Sequence, residues 1–439
     1  MPAPLARALH DLPTAPLCVA FSGGLDSTAL LHLLAAARPT HGLRAIHVHH
    51  GLHADADRWS AHCERVCAEL GIGLAVIRVN VATTGEGPEA AARAARHAAF
   101  ESALAPGDVL ALAHHLDDQA ETFLLRALRA SGPDGLAAMR RWRAFGAGRM
   151  WRPLLDVPRE ALLAYAQGHG LAWIDDPSNA DVAFDRNFLR QRVLPLLRER
   201  WPHASDALAR SAALCGQSDA LLEDEDARAL ATVASVDPQC LSRAGLLALP
   251  EARRARVLRR WIARLDLPAL PANGIERIER EILGARGDAE PVFHWHGAVV
   301  RAWRDLLHAE AMRPDWPSGW CVDWDGRSPL ALPTGDALML QGADGFDAPL
   351  RVHARQGGER LTRPGRSHSH ALKQVLQELG VPPWEREALP LLSDRAGALL
   401  AAGDLIHSAA FDAWLRERGA RLTWRREAAT HDAIAIDGD

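Results

Sequence analysis

The sequence predicts an α/β protein. Its N-terminal part is a doubly wound, Rossmann-like parallel sheet, which an α-helical domain and a small α+β domain follow. Three observations support this prediction. Strand-like and helix-like segments alternate up to about residue 200, helical patterns dominate from 205 to 285, and short strand-like runs with Trp, Gly and Pro then return. We therefore predict three domains, at residues 1–203, 204–325 and 335–439.

Four apolar runs in the N-terminal part are typical of buried strands, and each is followed by a helical pattern. The predicted strands are Leu17–Phe21, Leu43–His49, Leu74–Val79 and Asp108–Ala113. The predicted helices are residues 27–37, 55–70, 88–104 and 117–130. Ligands of such sheets bind beyond the carboxyl ends of the strands. Polar residues follow three of these strands, so we expect the functional site there.

The first strand leads into the sequence SGGLDS at residues 22–27. The two glycines allow a tight turn whose backbone can approach a ligand closely. The amide groups of the turn and of the following helix form an anion site, to which the serine hydroxyls add donors. Asp26 would repel a bare phosphate, so its presence indicates a Mg²⁺ ion that accompanies the phosphate. The predicted nucleotide-binding residues are Ser22, Gly23, Gly24, Leu25, Asp26 and Ser27, with Asp26 also the predicted metal ligand.

An ordinary glycine turn before a serine-capped helix would also explain part of this sequence. The complete S-G-G-x-D-S pattern between an apolar strand and an apolar helix favours phosphate binding instead. It is not the Walker loop, because that loop requires G-x-x-x-x-G-K-[ST] and no lysine lies nearby in the sequence.

The sequence AHHLDDQAET at residues 113–122 leaves the fourth predicted strand and enters a helix. Asp118 and Glu121 are three residues apart, so both carboxylates lie on one face of the first turn. Acids near a helix N-terminus are common for electrostatic reasons, and we explain Asp117 in that way. His114, Asp118 and Glu121 together, beside a phosphate-binding turn, indicate ligand binding or proton transfer.

Arginines provide nearly all of the positive charge, since Lys373 is the only lysine. Arg93 and Arg96 share one face of an alanine-rich helix, a weak signal that gains weight beside a nucleotide site, where they could hold phosphate. Denser basic runs at 184–200, 251–264 and 351–373 are candidate RNA-binding surfaces. Solvated helices have the same composition, so that alternative stays open.

The overall composition limits the classes of function. The chain has 439 residues, a net charge of −5 and no apolar run of membrane-spanning length. Its start lacks a signal-peptide pattern, which predicts a cytoplasmic protein without a membrane partner. Six cysteines are scattered without a C-x-x-C pair, so we expect reduced thiols. Cys63 and Cys67 share a helix face without further Cys or His residues at metal spacing, and a zinc site is not expected.

Several segments together resemble the bacterial tRNA(Ile)-lysidine synthetase family, which belongs to the PP-loop ATP pyrophosphatases. In the N-terminal part they are AFSGGLDSTALL (20–31), HVHHGLHADAD (47–57), AHHLDDQAETFLLR (113–126), RPLLDVPREAL (152–162), WIDDPSN (173–179) and DRNFLRQRVLPLL (185–197). Two later segments resemble the family's C-terminal domain, RQGGERL (355–361) and LKQVLQELGVPPWEREALPLL (372–392). The resemblance covers the N-terminal domain and the last quarter of the chain.

This resemblance implies an ATP-dependent ligase that joins free L-lysine to C2 of the wobble cytidine in CAU-anticodon tRNA(Ile). The cytidine would first attack the α-phosphate of ATP and release pyrophosphate, and the lysine amine would then expel AMP. Asp26 with Mg²⁺ would offset charge on the phosphates. His114, Asp118 and Glu121 resemble the residues that bind the lysine ammonium and take its proton.

The resemblance also assigns arginines and partners. Arg93 and Arg96 resemble ATP-contacting arginines of the family, and Arg186 in the DRNF sequence resembles an RNA-contacting one. Asp118, Glu121 and Arg186 would then form the site for lysine and tRNA. We expect tRNA(Ile), lysine and ATP as partners, and no DNA.

Two other functions stay open from the sequence. A 2-thiocytidine synthetase normally uses cysteines, often as C-x-x-C, to carry sulfur or an iron–sulfur cluster, and their absence counts against it. A non-catalytic nucleotide- or RNA-binding module would not need an intact set of Asp26, Asp118 and Glu121. The mass of the modified tRNA distinguishes the three functions.

Overall fold

The computed structural model describes residues 3–51, 53–80, 88–271, 273–285 and 291–426. The chain divides into two units. Among the described residues, the first unit contains 3–233 and 248–276, and the second contains 234–247 and 277–426. None of the helices in these residues is long and apolar enough to cross a membrane.

A six-stranded sheet forms the centre of the first unit, in the order β3-β2-β1-β4-β6-β5. Its strands are β1 (Leu17–Ala20), β2 (Leu43–His49), β3 (Gly73–Arg78), β4 (Val109–Ala111), β5 (Trp142–Phe145) and β6 (Gly148–Trp151). All neighbours are parallel except β5, which pairs antiparallel with β6. The predicted doubly wound sheet and its four predicted strands are confirmed, and the β5–β6 hairpin adds two strands. The strand order reverses between β1 and β4, which opens a crevice at their carboxyl ends.

Helices follow the strands as predicted, and α2 begins two residues earlier than expected, so that Asp26 lies in its first turn. The helices of residues 3–277 are α1 (Ala3–Ala8), α2 (Leu25–Ala37), α3 (Ala56–Leu70), α4 (Pro88–Ser102), α5 (Leu116–Leu128), α6 (Pro133–Leu136), α7 (Arg159–Gly168), α8 (Asp185–Phe188), α9 (Leu194–Arg200), α10 (Ala204–Val233), α11 (Arg243–Ala248), α12 (Glu251–Arg264) and α13 (Gly274–Arg277). A 3₁₀ turn spans Pro177–Ala180, and π-helical turns span Leu189–Val193 and Ile278–Leu283.

Both faces of the sheet in the first unit are buried, which explains the continuous apolar character of its strands. Leu17 and Val19 of β1 pack on one face, in a cluster that includes the leucines of α2. Cys18 points to the other face and packs in a cluster with Ile46 and Phe100. The two clusters hold β1 and α2 rigidly, and they fix the turn between these two elements.

Four antiparallel sheets build the second unit. One has the order β7-β10-β9-β8, and its strands are β7 (Cys240–Ser242), β8 (Val292–Trp295), β9 (Ala298–Trp303) and β10 (Leu306–Ala311). The other sheets have the orders β11-β14-β17-β18-β19, β12-β13-β20 and β15-β16. Their strands are β11 (Cys321–Trp324), β12 (Leu330–Ala331), β13 (Ala337–Gln341), β14 (Leu350–His353), β15 (Arg360–Leu361), β16 (His370–Ala371), β17 (Leu391–Ser393), β18 (Leu399–Ala402), β19 (Ile406–His407) and β20 (Arg421–Arg425).

Among the described residues, the second unit also contains most of α11, the π-helical turn at Ile278–Leu283, and three later helices, α14 (Leu372–Glu378), α15 (Pro383–Ala388) and α16 (Ala409–Glu417). The sequence predicts a helical pattern from 205 to 285, and the structure differs from this prediction around residue 241. Leu241 and Ser242 belong to β7, where they pair with Leu307 and Leu306 of β10. A strand of three residues is too short to show a clear periodicity. Its partner also lies far along the chain, so the local sequence does not reveal it.

Candidate active site

The segment 22–27 forms a tight turn between β1 and α2, and its geometry requires glycine. Gly23 has a φ of +83°, a left-handed conformation that residues with a Cβ rarely adopt. A Cβ there would lie 2.8 Å from Cδ1 of Ile174 and 3.0 Å from Sγ of Cys63. The amide of Ile174 also donates to the carbonyl of Gly23 at 2.9 Å. A segment from far along the chain therefore holds the turn in place.

Helix α2 begins at Leu25 with amide groups that face the turn. Gly24 is the N-cap residue and has no side chain to cap the helix, so the first amides find no partner inside the helix. The hydroxyls of Ser22 and Ser27 lie 3.0 Å apart, and Ser27 Oγ also donates to the carbonyl of Gly24 at 3.1 Å. Open amides beside two hydroxyls form an anion-binding site.

Asp26 lies in the first turn of α2, beside this anion site. Its side chain is 30% exposed, and Oδ1 accepts no hydrogen bond from the residues that the structure describes. Two cationic groups lie near it: Nε of Arg159 is 3.7 Å from Oδ1, and Nε2 of His115 is 3.7 Å from Oδ2. A carboxylate with an unused oxygen at an anion site suits a Mg²⁺ ion that is shared with a phosphate.

His115 connects the phosphate turn to helix α5. It is the N-cap of that helix: Nδ1 accepts from the amide of Asp118 at 3.3 Å, and its own amide donates to Oδ2 of Asp118 at 2.9 Å. Burial by itself lowers the pKa of His115, but the carboxylates of Asp118 and Asp26 outweigh burial and raise that pKa. With Nδ1 accepting, the ring proton is assigned to Nε2, which lies 3.7 Å from Asp26 and 3.4 Å from Asp118, so the ring joins two parts of the site that the sequence separates by about ninety residues.

The carboxylates of α5 meet two arginines that follow much later in the chain, and we call Asp118, Glu121, Arg186 and Arg190 the site cluster. Glu121 is completely buried, and it accepts from Nε of Arg186 at 2.9 Å and from Nε of Arg190 at 2.7 Å. Arg190 also donates to Oδ1 of Asp118 at 2.9 Å. Burial raises the pKa of Asp118, but His115 and Arg186 outweigh burial and hold it well below its usual range. Both carboxylates of the cluster are therefore paired, and Asp118 stays ionised.

His114 lies next to the site cluster but makes a different contact. Nε of Arg152 donates to Nδ1 of His114 at 3.2 Å. With Nδ1 accepting, the ring proton is assigned to Nε2, on the strength of this hydrogen bond. In this state His114 can donate a proton, and it can accept one only after Arg152 moves.

The structure separates the two predicted ATP-contacting arginines. Arg93 lines a cavity of about 170 Å³ whose other arginines are Arg126, Arg140, Arg143 and Arg152. Arg96 acts on His50 instead, since burial and then the charge of Arg96 lower the pKa of His50 to about 4. The cavity is strongly cationic, and one of its lining residues, Arg152, donates from Nε to His114.

Much of the positive charge of the basic helix α12 is paired with nearby carboxylates. Four of its arginines, Arg253, Arg256, Arg259 and Arg260, have a carboxylate within salt-bridge distance. Four acids of α10 take part, and we call Asp219, Glu223, Glu225, Asp226 and the four arginines the helix-pair cluster. Asp226 is nearly buried, and Arg253 and Arg256 bind it at 3.0 and 2.6 Å. Acids on α10 therefore offset much of the charge that the sequence assigns to RNA binding.

The C-terminal basic run is also partly neutralised. Arg355 lies 3.6 Å from Glu359, and Arg363 lies 3.3 Å from Glu378. Arg360 donates to the backbone carbonyl of Ser369 at 2.7 Å. The assignment of this run to RNA stays a prediction.

Sequence reasoning missed three residues of the site. Arg190 stands four residues after Arg186 on the same helical segment, and that spacing was a usable signal. His115 is adjacent to His114, but only the start of α5 determines which ring turns inward. Arg159 lies near Asp26 only through the fold, and no local pattern reveals it.

Three family models match successive parts of the chain. They are a PP-loop domain over residues 3–197, a TilS substrate binding domain over residues 241–308 and a TilS substrate C-terminal domain over residues 350–424. Together they cover most of both units.

Curated proteins that carry the name tRNA(Ile)-lysidine synthase are similar along nearly the whole chain. The protein of Xanthomonas campestris pv. campestris (strain 8004) is 57% identical over 429 residues, which cover 96% of this chain and 98% of that protein. The protein of Xylella fastidiosa (strain 9a5c) is 52% identical and covers 94% and 96%. The protein of Methylococcus capsulatus is 42% identical and covers 85% and 88%.

Proposed function

The chain belongs to the tRNA(Ile)-lysidine synthase family, and from this premise we propose how its own residues carry out the reaction. It is a carbon–nitrogen ligase that uses ATP to form lysidine at C2 of the wobble cytidine of CAU-anticodon tRNA(Ile), through an adenylated cytidine. One observation supports our assignment of residues to the two steps of the reaction. Nε2 of His115 lies 3.7 Å from Asp26 and 3.4 Å from Asp118, so one imidazole joins the phosphate turn to the carboxylates of α5.

The turn at residues 22–27 serves the first step. Its open amides, with the hydroxyls of Ser22 and Ser27, would hold the pyrophosphate that leaves when the cytidine attacks the α-phosphate of ATP. Asp26 would hold a Mg²⁺ ion with the phosphates, and that ion would offset their charge. Arg93 and Arg96 would contact ATP from the edge of the site.

Asp118 and Glu121 serve the second step, in which lysine replaces AMP. Arginines bind both carboxylates before substrates arrive. A phosphate of ATP or tRNA competes for the same guanidinium groups, because both anions suit bidentate contacts. Once Arg186 or Arg190 turns towards a phosphate, Oδ1 of Asp118 is released to bind the lysine ammonium. This exchange favours adenylation before lysine binding, which is the order that the chemistry requires.

The amine of lysine must lose a proton before it attacks, since its ordinary pKa is about 10.4. We assign proton transfer in this step to His114. Its Nδ1 becomes available when Arg152 leaves it, and Arg152 lines the same cationic cavity as Arg93. A substrate phosphate near that cavity would draw Arg152 away, so one event would prepare both His114 and Asp118.

The remaining assignments concern partners and domains. We assign ATP chemistry to residues 1–203 and tRNA binding to residues 204–325 and 335–439, an arrangement that the order of the three matching family models supports. Arg186 would contact the anticodon region. Free L-lysine is the second substrate, no DNA partner is proposed, and tRNA as the substrate supports a cytoplasmic location.

Mass spectrometry of a single tRNA species tests this function. The purified chain is incubated with CAU-anticodon tRNA(Ile), ATP and lysine, and the wobble nucleoside is then analysed. We expect a gain of one lysine less water, with AMP rather than ADP as the nucleotide product. A sulfur-for-oxygen exchange would establish thiolation instead, and an unchanged tRNA despite bound ATP would indicate a non-catalytic module.

A further inference from the structure

A group of three metal-binding side chains lies in the second unit, outside the active site. Cys240 of β7 pairs directly with His308 of β10, so their side chains lie on the same face of the sheet. Asp237 precedes β7, in the turn that the amide of Cys240 closes by donating to its carbonyl at 2.9 Å. The possible ligand atoms of the three residues lie within 4.8 Å of one another. Among the described residues, these three form the group of Cys, His and acidic side chains whose possible ligand atoms lie this close together.

The imidazole of His308 lacks the partner that a buried polar ring normally has. The residue is only 4% exposed, and Nδ1 accepts or donates no hydrogen bond within the described residues. Trp384 stacks on the ring, with centroids 4.9 Å apart, and this contact fixes its orientation. An unpaired buried group of this kind calls for a partner.

The distance between the other two side chains also suits a shared ion. Sγ of Cys240 lies 3.5 Å from Oδ2 of Asp237. Bonds of about 2.3 Å to sulfur and about 2.0 Å to oxygen, at a tetrahedral angle, place two ligands of one zinc ion about 3.5 Å apart. The imidazole would need to approach by no more than about 1.5 Å to complete the set.

We propose that Asp237, Cys240 and His308 bind one Zn²⁺ ion. One thiolate, one imidazole and one carboxylate are the ligand types that zinc accepts, whereas Mg²⁺ and Ca²⁺ prefer oxygen alone. Binding displaces the thiol proton of Cys240 to solvent, and the thiolate and the carboxylate then balance the charge of the ion. The fourth position opens towards solvent on the side of Asp237, which is exposed.

Nearby cations do not oppose the ion strongly, because they are already paired. Arg301 and Arg313 each lie 3.1 Å from an oxygen of Glu310. The ion would fasten β7 to β10, and these strands stand at the two ends of the segment that matches the TilS substrate binding domain. Its role would be to stabilise this sheet. Because Asp237, Cys240 and His308 belong to the second unit and the active-site residues belong to the first, zinc binding and lysidine formation are separate measurements.

Metal titration of the full chain tests the proposal. The protein is stripped with a chelator, returned to zinc in competition with a chromophoric chelator, and analysed for metal content. We expect one tightly bound Zn²⁺ per chain and a higher unfolding temperature. Replacement by Co²⁺ should give the absorption band of a thiolate ligand. Asp237→Asn changes an exposed residue, so folding is preserved, and it should weaken zinc binding about tenfold or more.

Cysteine variants provide the matched comparison. Cys240→Ser should abolish the thiolate band and the tight site, whereas Cys321→Ser, which changes an exposed cysteine far along the chain, should leave both unchanged. Circular dichroism checks that Cys240→Ser folds. Zinc binding that is as strong in Asp237→Asn and Cys240→Ser as in the parent chain would refute the site. Equal losses in Cys321→Ser would identify adventitious binding to thiols and would refute it as well.

Discussion

The first unit contains two groups of paired arginines and acids that look alike in composition but differ in position. In the site cluster, the acids occupy the first turn of α5, at the carboxyl end of β4, and Glu121 is completely buried. In the helix-pair cluster, the acids lie along α10 and face the arginines of α12. The site cluster is adjacent to an anion-binding turn, and the helix-pair cluster is not part of that crevice.

This difference shows why arginine density alone does not locate a substrate site. Helix α12 is the more basic segment in the sequence, yet its charge is largely offset by acids from another helix. The segment around Arg186 and Arg190 is less basic, but the fold brings it to the strand ends, where ligands of such sheets bind. Position relative to the crevice, rather than charge, distinguishes the pairs of the proposed active site from the pairs that join two helices.

Removal of Arg190 should have the largest effect, because it breaks the site cluster. Arg190→Met leaves Glu121 buried with one remaining cation, and losing a partner of a buried ion pair costs about 3–5 kcal/mol. We expect a fall of that order in the free energy of unfolding, with loss of lysidine formation. Urea denaturation measures the first quantity, and mass spectrometry of the tRNA measures the second.

The matched control for Arg190→Met is Arg260→Met in the helix-pair cluster. Arg260 lies 3.7 Å from Glu223, whose side chain is 55% exposed. Exposed pairs contribute below about 1 kcal/mol, so the free energy of unfolding should change little. Similar losses in the two variants would contradict the distinction between the clusters.

Asp26 should be the next most sensitive residue, and its loss should affect only the chemistry. Asp26→Asn keeps the volume of a partly exposed side chain and removes the charge proposed to hold Mg²⁺. We expect the ATP-dependent release of pyrophosphate to fall about 100-fold or more, while the unfolding temperature stays near that of the parent chain. A pyrophosphate release assay at several Mg²⁺ concentrations decides this, and near-normal release at every concentration would remove Asp26 from the ATP site.

The proposed lysine site should respond to a smaller change. Asp118→Asn keeps one acceptor oxygen, for Arg190 or for the amide of His115, but it no longer attracts an ammonium. We expect the KM for lysine to rise about tenfold or more, while pyrophosphate release persists. The test measures pyrophosphate and lysidine in one reaction while lysine is titrated, and Glu121→Gln is measured in parallel.

A rise in the KM for ATP with an unchanged KM for lysine, in both of these variants, would place the carboxylates in the metal–ATP site. The assignment of Asp118 and Glu121 to the second step would then be wrong. Unfolding temperatures of both variants exclude a general loss of structure as the cause.

Binding of tRNA provides a direct test of the charge argument. Arg259→Gln with Arg260→Gln removes two arginines of α12 that are already paired with acids. We expect only a small loss of tRNA affinity, and a salt dependence of log K that changes by less than about one unit per residue. Filter binding at several salt concentrations measures both. A loss of several units in the slope would show that α12 contacts tRNA phosphates.

The sequence was sufficient for the parts of the site that are local in the chain. The turn at 22–27 and the acids of α5 follow single strands, so their motifs and the alternation of strands and helices predict where they lie. The sequence did not predict which residues from distant parts of the chain form ion pairs. Arg190 meets Glu121 across 69 residues, and Asp219 meets Arg256 across 37. Neither periodicity nor composition encodes such contacts, since they depend on how α8, α10 and α12 pack.

The same limit explains why the sequence did not single out His115 and why it did not reveal strand β7. His114 and His115 are neighbours of the same type, and the sequence does not tell which one faces Asp26. The choice depends on the backbone at the start of α5, where the N-cap residue turns its side chain back to the amide of Asp118. Strand β7 is defined only by its pairing with β10, and the proposed zinc site depends on that pairing rather than on any cysteine motif.

The smallest effect that we predict is a pH dependence of the free energy of unfolding, which should appear at His115, beside the site cluster, and not in the helix-pair cluster. The folded-state pKa of His115 lies above its ordinary value of 6.5, because Asp118, Asp26 and Asp117 outweigh burial. A raised pKa contributes stability that is fully present below the pKa of the unfolded chain and is lost as pH rises through the folded pKa.

His115→Asn keeps a good N-cap residue and removes the titrating ring. Urea unfolding should therefore show a larger loss for His115→Asn at about pH 6 than at about pH 9. Arg260→Met removes no histidine, so it should show the same loss at both values. A loss for His115→Asn that is constant or grows with pH would show that protonation of this ring does not stabilise the fold.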